Sequence, residues 1–207
     1  MILCIIPARG GSKGVPGKNF KTIAGKPLIG WTIESAKKSK LIDEIVVSSD
    51  SLEILRYSHS LGVNVDKRPS HLSTDDSLII ETLKYLLEKF PTTVIVVLLQ
   101  PTSPIRNDNL IDRCIGKYLD KKTKVLVTGF DCYFKPYNTY YQRRQDMDTF
   151  FYNDGNVHIL TADMIRNGRI NSSDYCTVKT TREENIEIDD KFDFWLAEQI
   201  LKKRKDG

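Results

Sequence analysis

Cysteine is scarce in this chain: four among 207 residues, at Cys4, Cys114, Cys132 and Cys176. Their spacing fits neither a zinc site nor a CxxC redox motif, and four are too few to staple a domain of this length. Reduced, mostly buried thiols are the expectation. Long apolar runs are also lacking. The opening Met-Ile-Leu-Cys-Ile-Ile is far too short to span a bilayer, and it has neither the positive flank nor the cleavage site of a signal peptide. A cytoplasmic protein without a membrane partner is expected. Charge of one sign is nearly absent in the net: 31 Lys+Arg against 27 Asp+Glu leave +4, which admits an anionic ligand but does not argue for nucleic acid.

What is present is the mix of a globular domain, and the length suits one domain spanning 1–207. Short apolar runs alternate with helix-period segments. Ile2–Ile6, Glu44–Ser48, Val94–Leu99 and Lys124–Thr128 read as strands, several of them apolar on both faces as central parallel strands are. Helices are expected over 27–38, 51–59, 78–90 and 109–118, with Asp50 as a plausible cap of the second and Thr74, Asp75 or Asp76 available to the third. A short strand follows at 156–160, then another at 186–188 and a last helix from about 190 to 202. This order predicts an α/β fold with a mostly parallel central sheet and helices on both faces. In such folds ligands sit at the carboxyl ends of the strands. Residues 133–152 break the pattern. They are aromatic and irregular, a composition found at interfaces and in functional loops.

After the first strand comes Pro7-Ala8-Arg9-Gly10-Gly11-Ser12-Lys13-Gly14-Val15-Pro16-Gly17-Lys18-Asn19. Glycines let backbone N–H groups approach an anion, and Arg9, Lys13 and Lys18 supply positive charge, which suits a polyphosphate. A Walker A loop is excluded because Lys18 is followed by Asn19 and the glycine spacing is wrong. A Rossmann fingerprint is excluded because no GxG occurs.

The stretch Ala-Arg-Gly-Gly-Ser-Lys-Gly-x-Pro-x-Lys-Asn resembles the signature of the acylneuraminate cytidylyltransferases, the CMP-sialic acid synthetases. That family joins CTP to a nine-carbon 2-keto sugar acid and releases pyrophosphate, on a Rossmann-like nucleotidyltransferase fold. The resemblance implies that Arg9, Ser12, Lys13 and Lys18 hold the triphosphate with the Gly10 and Gly11 amides, and that Ala8 and Asn19 lie near the cytidine. Ser48-Ser49-Asp50 and then Arg68-Pro69 with Leu72-Ser73-Thr74-Asp75 continue the likeness, and there the arginine helps bind cytosine. A guanidinium can donate to the cytosine O2 and N3 acceptors. Leu98-Leu99-Gln100-Pro101-Thr102-Ser103-Pro104-Ile105-Arg106 is typical of the acylneuraminate branch, whereas KDO cytidylyltransferases carry a QGDEP-like segment at this point. Gln100 is a candidate for a hydroxyl-rich ligand.

Ile186-Glu187-Ile188-Asp189 resembles the family's IDID segment. On a strand, residues 187 and 189 share a face. Two such carboxylates suit Mg²⁺, or Mn²⁺, with Asp189 the direct ligand and Glu187 displaced by its extra methylene. Asp190 and Asp193 read as first-turn acids of the last helix. Arg143-Arg144-Gln145 and Asn153-Asp154-Gly155-Asn156-Val157-His158 resemble the family's sugar-binding region. They make Arg144 a candidate partner of the sugar carboxylate and His158 a candidate sugar contact, or equally a core histidine. The resemblance implies a homodimer built through 133–152. Other readings are a KDO-type or sugar-1-phosphate nucleotidylyltransferase, or a non-catalytic nucleotide-binding module.

Overall fold

In the computed structural model of the protein, residues 1–12, 14–133, 143 and 146–206 are described. Seven strands form one sheet in the order β5-β4-β1-β6-β8-β7-β9. They are β1 (Ile2–Pro7), β4 (Glu44–Ser49), β5 (Asn64–Lys67), β6 (Ile95–Leu98), β7 (Val125–Tyr133), β8 (Thr149–Thr161) and β9 (Tyr175–Lys179). The two-residue strands β2 (Thr22–Ile23) and β3 (Lys26–Pro27) make a separate small hairpin. β5, β4, β1 and β6 run parallel, β8 runs antiparallel between β6 and β7, and β9 lies parallel to β7.

Alternation along the central strands divides the core into two layers, as the pleat requires. Cys4, Ile6, Val47, Val97, Leu126 and Ile159 face α1 (Leu28–Lys38), α2 (Leu52–Ser60) and α4 (Leu110–Lys121), where Ile33, Ile54, Cys114 and Ile115 meet them. Leu3, Ile5, Val46, Val96, Leu98 and Leu160 face α3 (Ile79–Lys89) and the short α5 (Ala162–Arg166), against Leu83, Leu86 and Met164. The last helix, α6 (Lys191–Asp206), buries Ala197 and Leu201 on Ile23, Leu28, Ile105 and Ile188. Among the described residues, no helix is long and apolar enough to cross a membrane. All four cysteines are free, and burial pushes the Cys4 and Cys114 thiols up to about 12.

Several local expectations need correction. Residues 186–188 are not a strand: they have no ladder partner among the described residues and are tied to the turn after β6 by Ile188 N–H donating to the Thr102 carbonyl at 2.8 Å. The edge position beside β7 belongs to β9, which the sequence reading passed over together with β5. Both are short edge strands, β5 mostly exposed and β9 half-buried, so they lack the apolar runs of central strands. The cap of α2 is Ser51, whose Oγ accepts from Ile54 N–H at 3.5 Å, and Asp50 is free for the phosphate loop. The N-cap position of α3 is Leu78, which has no side-chain cap.

β7 and β8 form a long ribbon whose register slips between Val127 and Gly129. Val127 pairs with His158 and Gly129 with Asn153, so the residues Asp154–Val157 bulge out of the ladder. Gly155 holds φ +65 within this bulge, a conformation that favours glycine. Residues 134–142, 144 and 145, inside the expected 133–152 extension, lie outside the described residues.

Candidate active site

The carboxyl ends of β1, β5 and β6 open onto a cleft of about 390 Å³. The loop after β1 forms one wall and the segment before α6 the other. The loop is held by its own side chains before any ligand is considered. Ser12 Oγ donates to the Val15 carbonyl and accepts the Lys18 N–H at 3.1 Å. Asn19 Nδ2 donates to the Arg9 carbonyl at 2.9 Å, and Asp50 Oδ1 accepts the Gly10 N–H at 2.7 Å. Gly17 takes φ +63 just before the turn at Lys18–Phe20. A Cβ on Gly14 would overlap the Asp189 carbonyl oxygen. Nothing lies within 4 Å of a Cβ on Gly11, which lines the cleft, so no packing contact requires glycine there.

Among the described residues, three cations line the cleft. Arg9 donates from one Nη to the Thr74 carbonyl at 3.3 Å and to Asp75 Oδ1 at 2.6 Å, which joins the loop to the segment before α3. Lys18 Nζ donates to the Ile188 carbonyl and lies 3.9 Å from Asp189 Oδ1. Burial lowers the Lys18 pKa, and the Asp189 and Glu187 carboxylates oppose that shift. Arg68, 7% exposed, follows β5 and is also lowered by burial, with Asp50 and Asp66 opposing. Lys13 lies outside the described residues.

Across from the loop stand Gln100 and Thr102, from the turn after β6, with Glu187 and Asp189. Glu187 is pushed up by burial and then by the Asp189 charge, while the Thr102 hydroxyl, donating at 3.4 Å, pulls the other way. A carboxylate whose charged form is disfavoured by burial and a like neighbour is one that a divalent cation relieves. Among the described residues no cluster of three or more His, Cys, Asp or Glu side chains could hold a metal. The site therefore offers this carboxylate pair alone, a donor set that fits Mg²⁺ completed by water and phosphate oxygens.

The structure thus brings Arg9, Gly11, Ser12, Lys18, Asn19, Arg68, Gln100, Glu187 and Asp189 to one cleft. Ala8 is buried beneath it, its N–H given to the Ser48 carbonyl at 2.9 Å. The Gly10 amide is already committed to Asp50. His158 is not among the residues lining the cleft. It shares a face of β8 with the buried Leu160, and burial lowers its pKa to about 4, which fits the core histidine of the two readings. Arg144 lies outside the described residues.

A buried polar network that the sequence reading missed supports the Gln100 side of the cleft. Asp154 accepts from Thr128 Oγ1 and Thr180 Oγ1, each at 2.6 Å, and from Asn156 N–H at 3.0 Å. Arg106 donates to the Asn156 carbonyl at 2.8 and 3.2 Å, to the Gln100 carbonyl at 3.0 Å and to Thr32 Oγ1 at 3.0 Å. These bonds seat the bulge so that a Cβ on Gly155 would be 3.4 Å from Gln100 Nε2 and 3.7 Å from Glu187 Oε1. Partners 50 and 74 residues apart leave no local pattern to read.

The family model described as cytidylyltransferase matches residues 3–158. The chain belongs to the cytidylyltransferase family. An N-acylneuraminate cytidylyltransferase of Escherichia coli is 31% identical over 98% of this chain and 52% of its own length. N-acylneuraminate cytidylyltransferase A of Danio rerio is 28% identical over 96% of the chain and 50% of its own. A CMP-N,N'-diacetyllegionaminic acid synthase of Legionella pneumophila is 45% identical over 55% of the chain and 51% of its own. This cytidylyltransferase-family chain thus spans about half the length of the N-acylneuraminate cytidylyltransferases it matches. Among solved structures, a CMP:2-keto-3-deoxy-manno-octonic acid synthetase complexed with CTP superposes with a TM-score of 0.78, covering 98% of this chain and 99% of that one. At 15% identity this likeness shows the nucleotidyltransferase fold.

Proposed function

We propose that the chain transfers the cytidylyl group of CTP to a nine-carbon 2-keto sugar acid, releasing pyrophosphate. The observation that carries this reading is the cleft itself. A cationic glycine-rich loop faces a carboxylate pair, with Arg68 and Gln100 on the same walls. The C2 hydroxyl of the sugar acid attacks the α-phosphorus and gives up its proton to solvent, the bond from the α-phosphorus to the α–β bridging oxygen breaks, and pyrophosphate leaves with that oxygen. Negative charge grows on the α-phosphate and the leaving group. Arg9, Lys18 and Gly11 line the cleft where this charge would be neutralised, and Lys13 belongs to the same loop. Mg²⁺ or Mn²⁺, held by Asp189 and Glu187, would supply further charge neutralisation on the phosphates. Arg68 presents donors that suit cytosine acceptors, and Asn19 Oδ1, buried without a partner among the described residues, is an acceptor beside the same cleft. The names of the relatives, N-acylneuraminate and N,N'-diacetyllegionaminate enzymes, support a nonulosonate as the acceptor.

Pyrophosphate release tests this directly. With sialic, legionaminic and KDO acceptors offered in parallel, release is expected with a nine-carbon acid. The kcat/KM for CTP should exceed that for UTP by about tenfold or more, as for a site that hydrogen-bonds the base edge. Equal use of CTP and UTP, or turnover with KDO alone, would refute it.

The β7–β8 ribbon is assigned to self-association. Tyr133, Phe150 and Tyr152 are 43–48% exposed along it, and Phe130 stacks on Tyr152 at 5.3 Å. Light scattering at micromolar concentration should give about twice the 23.7 kDa chain mass. A mass near that of one chain would remove the assignment.

A further inference from the structure

Arg68 is the buried cation nearest to reading a base, and its bonds fix how its guanidinium is turned. Nε donates to Ser48 Oγ at 3.2 Å, and one Nη donates to the Ser48 carbonyl at 2.7 Å. Ser48 Oγ in turn donates to Asp66 Oδ2 at 3.0 Å. All three side chains are buried: Ser48 is 0% exposed, Asp66 6% and Arg68 7%. Ser48 and Asp66 face each other in the parallel register of β4 and β5, so the sheet itself sets the spacing. The other Asp66 oxygen, Oδ1, accepts from Lys89 Nζ and from Tyr85 Oη at 3.4 Å, both on α3.

This arrangement has a definite polarity. A hydroxyl carries a single proton. With that proton given to Asp66, the Ser48 oxygen can only accept from Arg68 Nε. The remaining Nη has no partner among the described residues, and Arg68 lines the cleft. We infer that Asp66 and Ser48 form a relay that orients Arg68 toward the nucleotide base, which makes Asp66 a positioning residue for base selection. An asparagine at 66 cannot serve both sides. If its amide faced Ser48, the hydroxyl proton would be turned toward Arg68 Nε. If its oxygen faced Ser48, the amide would meet Lys89 Nζ donor to donor.

The inference rests on the cytidylyltransferase reading, and the experiment separates the two. Steady-state kinetics and equilibrium binding of CTP and UTP are compared for wild type, Ser48→Ala, Asp66→Asn and Lys89→Met, with thermal melting of each. The relay predicts that Ser48→Ala and Asp66→Asn raise the KM for CTP and reduce the CTP:UTP ratio by about tenfold, with kcat within about twofold, the scale of one lost hydrogen bond to a charged group. Lys89→Met removes one of the two α3 partners of Asp66, leaving Tyr85, and should lower the melting temperature without moving the ratio. If wild type prefers CTP while Ser48→Ala and Asp66→Asn keep the wild-type ratio, the relay is wrong and the function stands. The relay also falls if Lys89→Met moves the ratio equally, since Asp66 would then act only through general stability. If wild type itself neither binds CTP nor prefers it to UTP, the functional reading fails first. Should Asp66→Asn not fold, Ser48→Ala alone decides, because it deletes one hydroxyl and leaves the Asp66–Lys89 pair in place.

Discussion

Replacing Asp189 with asparagine is expected to lower kcat by about a hundredfold or more, and replacing Glu187 with glutamine by less than about tenfold. The two carboxylates line one cleft but differ in surroundings. The Asp189 side chain is 81% exposed, so its oxygens are open to a cation and to phosphate-bound water. Glu187 is more enclosed, accepts from the Thr102 hydroxyl, and has its charged form disfavoured by burial and by Asp189. Removing the Glu187 charge relieves that repulsion in the free protein, so Glu187→Gln should melt no lower than wild type while requiring more Mg²⁺ for half-maximal rate. Asp189→Asn removes the open ligand, and added metal should not restore its rate. Initial rates at saturating CTP over a Mg²⁺ titration, with melting curves for both variants, measure this. A near-normal, chelator-insensitive kcat for Asp189→Asn would show that the carboxylate pair does not hold the cation.

The legibility of this chain follows the range of the interactions involved. The strands at 2–7, 44–49 and 95–98 announced themselves because both of their faces are buried, which demands continuous apolar runs. β5, reading Asn-Val-Asp-Lys, is an exposed edge strand whose composition does not separate it from a loop, and β9, reading Tyr-Cys-Thr-Val-Lys, has strand-forming residues but is only five residues long and lacks a continuous apolar run. The phosphate loop was legible because its residues are consecutive. The separate duties of its glycines were not: Gly14 is small because Asp189 lies against it, a contact across 175 residues of chain. Residues 186–188 alternate like a strand, and 187 and 189 do reach the same cleft. Their backbone is nonetheless held by Thr102 rather than by a ladder. The acids at 190 and 193 were read as helix-start residues, and they cap reciprocally. Asp190 Oδ1 accepts the Asp193 N–H at 2.9 Å, and Asp193 Oδ2 accepts the Asp190 N–H at 3.2 Å. His158 shows the converse limit: a histidine inside a site-like motif is placed by strand alternation, and alternation turned it into the core.

Arg106 closes the recognisable Gln-Pro-Thr-Ser-Pro-Ile-Arg stretch, and its removal is expected to have the largest effect on stability. It is 6% exposed, and burial lowers its pKa to about 10, so it remains charged at neutral pH. Among the described residues no carboxylate forms an ion pair with it. Its donors go to the Asn156 and Gln100 carbonyls and to the Thr32 hydroxyl. One planar fork thereby fastens α1, the turn after β6 and the β8 bulge to one another, a geometry that lysine cannot reproduce. Arg106→Met would strip this donor from the buried Asn156 carbonyl and Thr32 hydroxyl and leave the Gln100 carbonyl with the Ser103 N–H at 3.3 Å, at a cost of about 3 kcal/mol. For a chain of this size that corresponds to a fall of about 6–12 °C in Tm. Arg106→Lys should recover little of it. Because the fork holds the Gln100 carbonyl and the bulge but does not touch Arg68, the KM for the sugar acid should rise several-fold while the KM for CTP changes little. Differential scanning calorimetry and steady-state kinetics on both variants test this. A melting temperature within about 2 °C of wild type for Arg106→Met would show that the bulge is seated by Asp154 and its two threonines alone. A parallel rise in both KM values would mean that the fork shapes the whole cleft rather than its sugar end.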